Sequence, residues 1–240
     1  MDYYRVVSIC NRFPTEPYYC LNEWYKSVGE HKPLVIGAIG SHYQGLGDKP
    51  KFVYRAIKQG MIPEKYIIFC DCWDLVFTTS LDELIECYKV MGKPLVISSE
   101  KNCFPDDVKD DYDKLPYTSS YRYLNSGMIV GETEALLSVL EAMDAENIPD
   151  DYRMENGQNF HYNDQSLYQH IFLKQPVEIA LDYDQILCNT LHSVKIDELD
   201  FSSERIRNIE TGSYPCAMHM NGSAKTDGLR EPILNHLNLL

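Results

Sequence analysis

Basic charge is scarce in this chain. Against 36 Asp and Glu there are 22 Lys and Arg, a formal net charge of −14, and no basic block occurs. That argues against nucleic acid as a main partner, because phosphate backbones are met by clustered Lys and Arg. A nucleotide can still bind where a divalent cation screens its phosphates. Eight cysteines sit at 10, 20, 70, 72, 87, 103, 188 and 216, yet no C-x-x-C pair occurs, so a zinc ribbon has no support. Cys70 and Cys72 form a C-x-C pair that would share one face of a strand, where small buried hydrophobes are the favoured reading over metal ligands. No apolar run is long enough to span a bilayer. The opening MDYYRVVSIC lacks both a basic n-region and an apolar h-region. With free thiols, the expectation is a reducing, cytoplasmic setting. Repeats, low-complexity tracts and linkers are also missing, so a single domain over 1–240 is expected.

What is present is an ordinary globular composition, 44% hydrophobic and 24% charged, with 18 tyrosines. Buried strands are expected at RVVSIC (5–10), PLVIGAIG (33–40), YIIFCD (66–71) and PLVISSE (94–100). Between them lie helical patterns at 20–28, 51–60 and 81–92, the second closed by Gly60, the third capped by Ser80 and stopped by Gly92. This alternation points to an α/β fold with a parallel sheet covered on both faces. Farther on, YRYLNSGMIVG (121–131) reads as a strand, and ETEALLSVLEAM and QSLYQHIFL as helices. Short strand-like pieces follow, ending in PCAMHMNG (215–222). The acidic stretch 101–120 is the best candidate for a mobile loop, with a solvated surface excursion as the plain alternative.

The stretch YIIFCDCWDLVF (66–77) carries the first chemical signal. An apolar strand ends on Asp71, and Asp74 follows three positions later. Two close carboxylates repel unless a cation sits between them. In a parallel α/β sheet ligands bind beyond the carboxyl ends of the strands, so both acids face a cleft. Hard oxygen ligands there suit Mg²⁺ or Mn²⁺ shared with substrate phosphates. His219 in MHMNGSAK (218–225) is the candidate third ligand, beside Asn221, Gly222 and Lys225. Gly would let backbone approach a ligand and Lys would meet phosphate charge. The plain reading of His219 is a satisfied core residue.

DCWD, YRYLNSGMIVG, YNDQSLY and HMNGSAK, in this order, resemble the glycosyltransferase domain of procollagen lysyl hydroxylases and related procollagen-type glycosyltransferases. The resemblance covers most of the chain. It implies a GT-A fold, a single Rossmann-like, mostly parallel sheet flanked by helices, with the donor nucleotide half at about 1–100 and the acceptor half at about 101–240. It also implies a UDP-sugar donor and a Mn²⁺ ion, with Mg²⁺ as the substitute. Carried over by position, Asp71 and Asp74 are similar to the metal-binding D-x-x-D, a variant of the DxD motif, and His219 to the third ligand. Cys72 and Trp73 fall near the nucleotide, and Ile9, Cys10 and Asn11 where the first strand's end holds uridine. Asn221, Gly222 and Lys225 match the turn that meets the diphosphate. Tyr43 falls near an aromatic that stacks on uracil, and Lys51 near a basic donor-site residue. Asn125, Asn163 and Asp164 fall on the sugar and acceptor side. The family's paired acids before Gln are Asn163-Asp164 here, and the Tyr inside D-x-x-D is Trp73.

The expected chemistry is hexose transfer, glucose or galactose, from a UDP-sugar to a hydroxyl of a glycan, protein or small-molecule acceptor. Asp164 is expected to stabilise positive charge at the anomeric carbon or to orient the acceptor hydroxyl; its plain reading is an N-cap for QSLYQHIFL. Retention of configuration is what the resemblance implies. Two other readings stand beside it: a metal-dependent nucleotidyltransferase, and a UDP-sugar-binding module without activity. A haloacid dehalogenase type phosphohydrolase would want D-x-D at Asp71, which Cys72-Trp73-Asp74 does not supply.

Overall fold

Side chains alternate along a strand, so a fully apolar strand feeds two cores at once. The strand Tyr66–Cys70 does this. Ile67 and Phe69 enter one buried cluster, Ile68 and Cys70 the other. The computed structural model describes residues 3–10, 19–37, 46–104, 108–148, 163–174 and 178–240. Asn11 and Tyr43, both expected near the nucleotide, lie outside the described residues.

The main sheet is built from β1 (Tyr4–Ile9), β2 (Leu34–Ile36), β3 (Tyr66–Cys70), β5 (Leu95–Glu100), β6 (Tyr123–Glu132) and β7 (Ala180–Leu181), in the order β2-β1-β3-β6-β5-β7. Strands β2, β1 and β3 pair in parallel, as do β5 and β7, while β6 runs antiparallel between β3 and β5. The fold is therefore α/β with a mostly parallel sheet. This is the mostly parallel sheet that was expected; β6 is its antiparallel member, and its apolar run buries on both faces just as a parallel strand would.

One face is covered by α2 (Asp48–Lys58), α5 (Thr133–Ala142) and α6 (Asp164–Lys174), through Val53, Leu136 and Phe172 among others. The other face is covered by α1 (Leu21–Val28) and α3 (Leu81–Val90), through Trp24 and Leu84. Ser80 caps α3: its hydroxyl accepts the Glu83 N–H at 3.2 Å. Helix α2 starts earlier than the expected 51, because Pro50 in a first turn lacks only an N–H that has no intrahelical partner anyway. That earlier start places Lys49 in the first turn.

Two further features position the site. A small sheet joins β4 (Leu75–Phe77), β11 (Ala217–His219) and β8 (Asn189–Thr190). Its β4/β11 register sets His219 opposite Leu75, and the Met220 N–H bonds the Asp74 carbonyl at 2.7 Å. The second feature is a bulge. The β5/β6 register jumps between Ile97↔Ile129 and Ser99↔Leu124, so residues 125–128 are more than Ser98 alone can pair. Bulges re-aim side chains next to functional sites; this one turns Asn125, Ser126 and Gly127 into a cavity wall. The stretch 101–120 is not all loop. It contains a short helix, α4 (Lys109–Tyr112), and Tyr112 is buried against Phe172 and donates no slack to a lid, its hydroxyl accepting the Leu124 N–H. Among the described residues, no helix is long and apolar enough to cross a membrane.

Candidate active site

Beyond the carboxyl ends of β3 and β5 lies a cavity of about 670 Å³. Its walls carry Lys49, Asp71, Asp74, Glu100, Asn125, Asn163, Asp164, His219, Asn221, Gly222 and Lys225. Strand β3 delivers Asp71, whose own N–H continues the ladder to the Gly127 carbonyl at 2.9 Å. Asp74 sits after the bend, where β4 begins.

Asp71, Asp74 and His219 each offer one ligand atom, and the three atoms lie within 4.8 Å of one another. His219 Nε2 is 3.4 Å from Asp74 Oδ1 and 4.0 Å from Asp71 Oδ2. Two carboxylates and an imidazole are a donor set that accepts Mn²⁺ or Mg²⁺, so the residues fit the implied cation. Lysines hold the remaining carboxylate oxygens. Lys225 Nζ is 2.6 Å from Asp74 Oδ2, and Lys49 Nζ is 2.6 Å from Asp71 Oδ1 and 3.3 Å from Asp164 Oδ2. Burial alone would raise the Asp74 carboxyl, but His219 and Lys225 beside it overcome that and hold it well below the usual carboxylate range. Burial raises the Asp71 carboxyl, with Lys49 opposing and Asp74 adding to the rise.

Asp164 opens α6, and its Oδ2 also accepts the Ser126 hydroxyl at 3.0 Å. It is not the cap of that helix. Asn163 takes that part, its Oδ1 accepting the Gln165 N–H at 2.9 Å. Asp164 is thereby released to face the cavity.

Lys51, expected at the donor site, is instead buried beside Asp48 and does not line the cavity. Two positions along a helix turn a side chain well away, so Lys49 faces the cavity and Lys51 does not. Ile9, Cys10, Cys72 and Trp73 gather at the ends of β1 and β3, adjoining the cavity without lining it. There the Trp73 indole donates to Cys10 Sγ at 3.3 Å, and its ring tilts against Tyr19 at 5.1 Å. Cys70 and Cys72 are buried; burial pushes the Cys70 thiol up to about 12, as befits a packing residue. Gly222 has φ +55, and a Cβ there would sit 2.7 Å from His192 Cγ.

Sequence reasoning missed Lys49, Glu100, Ser126, Gln165 and His192. Glu100 carried a usable signal, since it ends an apolar strand as Asp71 does. Ser126 and Gln165 lay inside the quoted motifs without being singled out, while Lys49, whose placement depends on where α2 starts, and His192, which follows β8, had no signal.

Residues 20–237 match the family described as the PLOD GT domain. The chain is 30% identical over 175 residues to procollagen-lysine,2-oxoglutarate 5-dioxygenase of Drosophila melanogaster, covering 69% of this chain and 22% of that protein. It is 26% identical over 187 residues to the multifunctional procollagen lysine hydroxylase and glycosyltransferase LH3 of Rattus norvegicus, covering 75% of this chain and 24% of that protein. The chain thus spans about a quarter of the length of these relatives. A solved glycosyltransferase involved in glycosylation of the major capsid of PBCV-1 shares the fold, with a TM-score of 0.51, 14% identity and 99% of each chain covered.

Proposed function

From the chain's membership of the PLOD GT-domain family of glycosyltransferases, we propose that it transfers a hexose, glucose or galactose, from a UDP-sugar to a hydroxyl acceptor, in a divalent-cation-dependent and retaining manner. The observation that carries this reading is the convergence of Asp71, Asp74 and His219 in one cavity with Lys49, Lys225 and Asp164. The cation would be Mn²⁺, with Mg²⁺ as the substitute, and the acceptor a glycan, protein or small molecule.

Asp71, Asp74 and His219 would hold the cation. When bound, it supplies Lewis-acid charge at the donor diphosphate. Lys225 is a fixed positive charge on the same side, kept protonated because Asp74 outweighs the cost of its burial. Asp164, clamped by Ser126 and Lys49, presents a carboxylate to stabilise positive charge at the anomeric carbon or to orient the acceptor hydroxyl. Asn163 holds the start of α6 and with it the position of Asp164. The uridine would lie toward the ends of β1 and β3, near Ile9, Cys10, Cys72 and Trp73, with Asn11 and Tyr43, outside the described residues, as further contacts that the family resemblance implies. Asn221 and Gly222 would meet the diphosphate, the glycine giving backbone room.

The test is UDP release from a panel of UDP-sugars with Mn²⁺ and with EDTA, comparing the wild type with Asp74→Ala. Release from one sugar that needs Mn²⁺ and is lost in the variant is expected. Release of sugar 1-phosphate instead of UDP would turn the reading to nucleotidyl transfer, and metal-independent nucleotide binding would overturn the cation site.

A further inference from the structure

Three buried amides in the cavity wall are each pinned by a backbone group. Asn125 Oδ1 accepts the Gly127 N–H at 3.0 Å. Gln165 Oε1 accepts the Ser126 N–H at 3.3 Å, and its Nε2 donates to the Phe104 carbonyl at 2.8 Å. Asn221 Oδ1 accepts the N–H groups of Leu191 and His192, both at 2.9 Å. A backbone N–H only donates and a carbonyl only accepts, so the orientation of every amide is fixed.

The NH₂ groups that remain converge on one carboxylate. Asn125 Nδ2 and Gln165 Nε2 reach Glu100 Oε1 at 3.0 and 2.9 Å, and Asn221 Nδ2 reaches Oε2 at 3.0 Å. Glu100 is 3% exposed, and among the described residues no lysine or arginine pairs with it. Three donors need a side chain that only accepts, which a carboxylate is and an amide is not. A glutamine at 100 would set one NH₂ against another.

The consequence falls on His219. Asn125 Oδ1, the oxygen already fixed by Gly127, is 3.1 Å from His219 Nδ1. An amide oxygen carries no proton, so Nδ1 donates. The neutral ring then keeps its lone pair on Nε2, the atom that faces Asp71 and Asp74. We infer that Glu100 and Asn125 are positioning residues that set the tautomer and ring orientation of His219 for cation binding, Glu100 acting through Asn125. Partners of this kind behind a ligating histidine are worth about 10–100-fold in metal affinity. The inference rests on the cation site proposed above and adds the residues that prepare it.

The experiment uses the full chain. Imidazole ¹⁵N NMR of the metal-free protein, followed into alkaline pH until the ring signals stop changing, reads the tautomer directly. The His219 signal is identified by its loss in His219→Gln. Mn²⁺ affinity is measured separately by calorimetry, without any donor sugar. The wild type is expected to show the Nδ1–H tautomer. Asn125→Ala and Glu100→Gln should give mixed tautomers and bind Mn²⁺ about 10–100-fold more weakly. A wild-type Nε2–H tautomer would overturn the inference. So would Asn125→Ala with an unchanged tautomer and wild-type Mn²⁺ affinity, and that variant decides the matter if Glu100→Gln does not fold. Failure of the wild type to bind Mn²⁺ would sink the cation reading instead, and the tautomer measurement would still judge the positioning.

Discussion

Gly127→Ala tests how closely the third ligand is seated. A Cβ at Gly127 would lie 2.5 Å from His219 Nδ1, closer still to Cε1, and 2.9 Å from Asn125 Oδ1. Ordinary contacts between non-bonded heavy atoms are about 3.5–4.0 Å, so the ring must retreat by about 1 Å or the bulge must shift by as much. Neither can happen cheaply. His219 is 3% exposed and its backbone is tied into β11, while the bulge is tied to Ser98 and to Asp71. Overpacking of this kind costs about 1–3 kcal/mol of stability. Its effect on the cation should be larger, since metal–ligand distances tolerate only about ±0.2 Å. A loss of about 100-fold in Mn²⁺ affinity, roughly 2.7 kcal/mol, is expected. The matched control is Gly131→Ala on the same strand, where a Cβ would meet the Pro94 carbonyl at 2.5 Å and Leu95 Cδ1 at 2.6 Å, far from any ligand. That variant should lose similar stability and bind Mn²⁺ within about twofold of the wild type. The assays are urea unfolding and calorimetric Mn²⁺ titration of both proteins. If Gly127→Ala, once folded, binds Mn²⁺ as the wild type does, then His219 has no tight seat or is no ligand, and the geometric argument is wrong.

Three other outcomes follow from the same contacts. Lys49→Met removes the cation that shares Asp71 and Asp164, so Mn²⁺ should bind about tenfold more tightly, roughly 1.4 kcal/mol, while turnover falls because Asp164 loses a clamp; weaker Mn²⁺ binding in this variant would refute the competition. Asp182→Asn replaces the oxygen that accepts the Leu187 and Cys188 N–H groups at 2.8 and 2.9 Å, and should cost about 2–4 kcal/mol in urea melts at pH 7 with EDTA. Burial pushes the Asp182 carboxyl from 3.8 up to about 6, so its protonated form favours folding below the lower value and that contribution is lost as pH rises through the upper one. The gap between wild type and variant should therefore widen from pH 7 to pH 5, and a constant gap would show an ordinary carboxyl. UDP should bind at least about 100-fold more weakly in EDTA than with Mn²⁺, read by calorimetry, and equal affinity in the two would remove the cation from nucleotide binding.

The sheet was readable because its signal is local. YIIFC, LVISSE and the LNSGMIVGE run are apolar beyond what an exposed strand tolerates, and each forms a buried strand. Direction was not readable at β6. A strand buried on both faces carries the same residues whichever way it runs, and only the connection on each side decides. The short strands β8 and β11 were legible as strand-like pieces, but not the pairing of β11 with β4, whose partner residues lie more than a hundred positions apart. The starts of α2 and α6 were misplaced by local pattern: residues 42–50 read as a Gly-rich loop and Asp164 as a cap, while the chain uses Gly47 and Asn163 at those points.

The same distinction separates the parts of the site. Asp71 and His219 stand out because each sits at the end of an apolar strand, and Asp74 because it directly precedes one, places where a buried ionisable residue is costly unless it is paired or liganded. The residues that make such a cluster tolerable are set by charge balance, which no short stretch of sequence shows. The cavity holds four carboxylates, Asp71, Asp74, Glu100 and Asp164, against two ammonium groups, Lys49 and Lys225. Glu100 is met by amides alone, so the lysines serve the other three. That leaves a negative surplus pointed at the position a dianionic diphosphate would take. A divalent cation cancels that surplus of four carboxylates over two ammonium groups and a monovalent one does not. On the proposed function, such a cavity would repel a nucleotide diphosphate until the cation is in place, with Lys49 and Lys225 partly balancing its carboxylates. Lys225 was legible as a phosphate-meeting residue of its turn, but its pairing with Asp74 was not, and Lys49 was invisible altogether: each answers a charge brought in from another part of the chain.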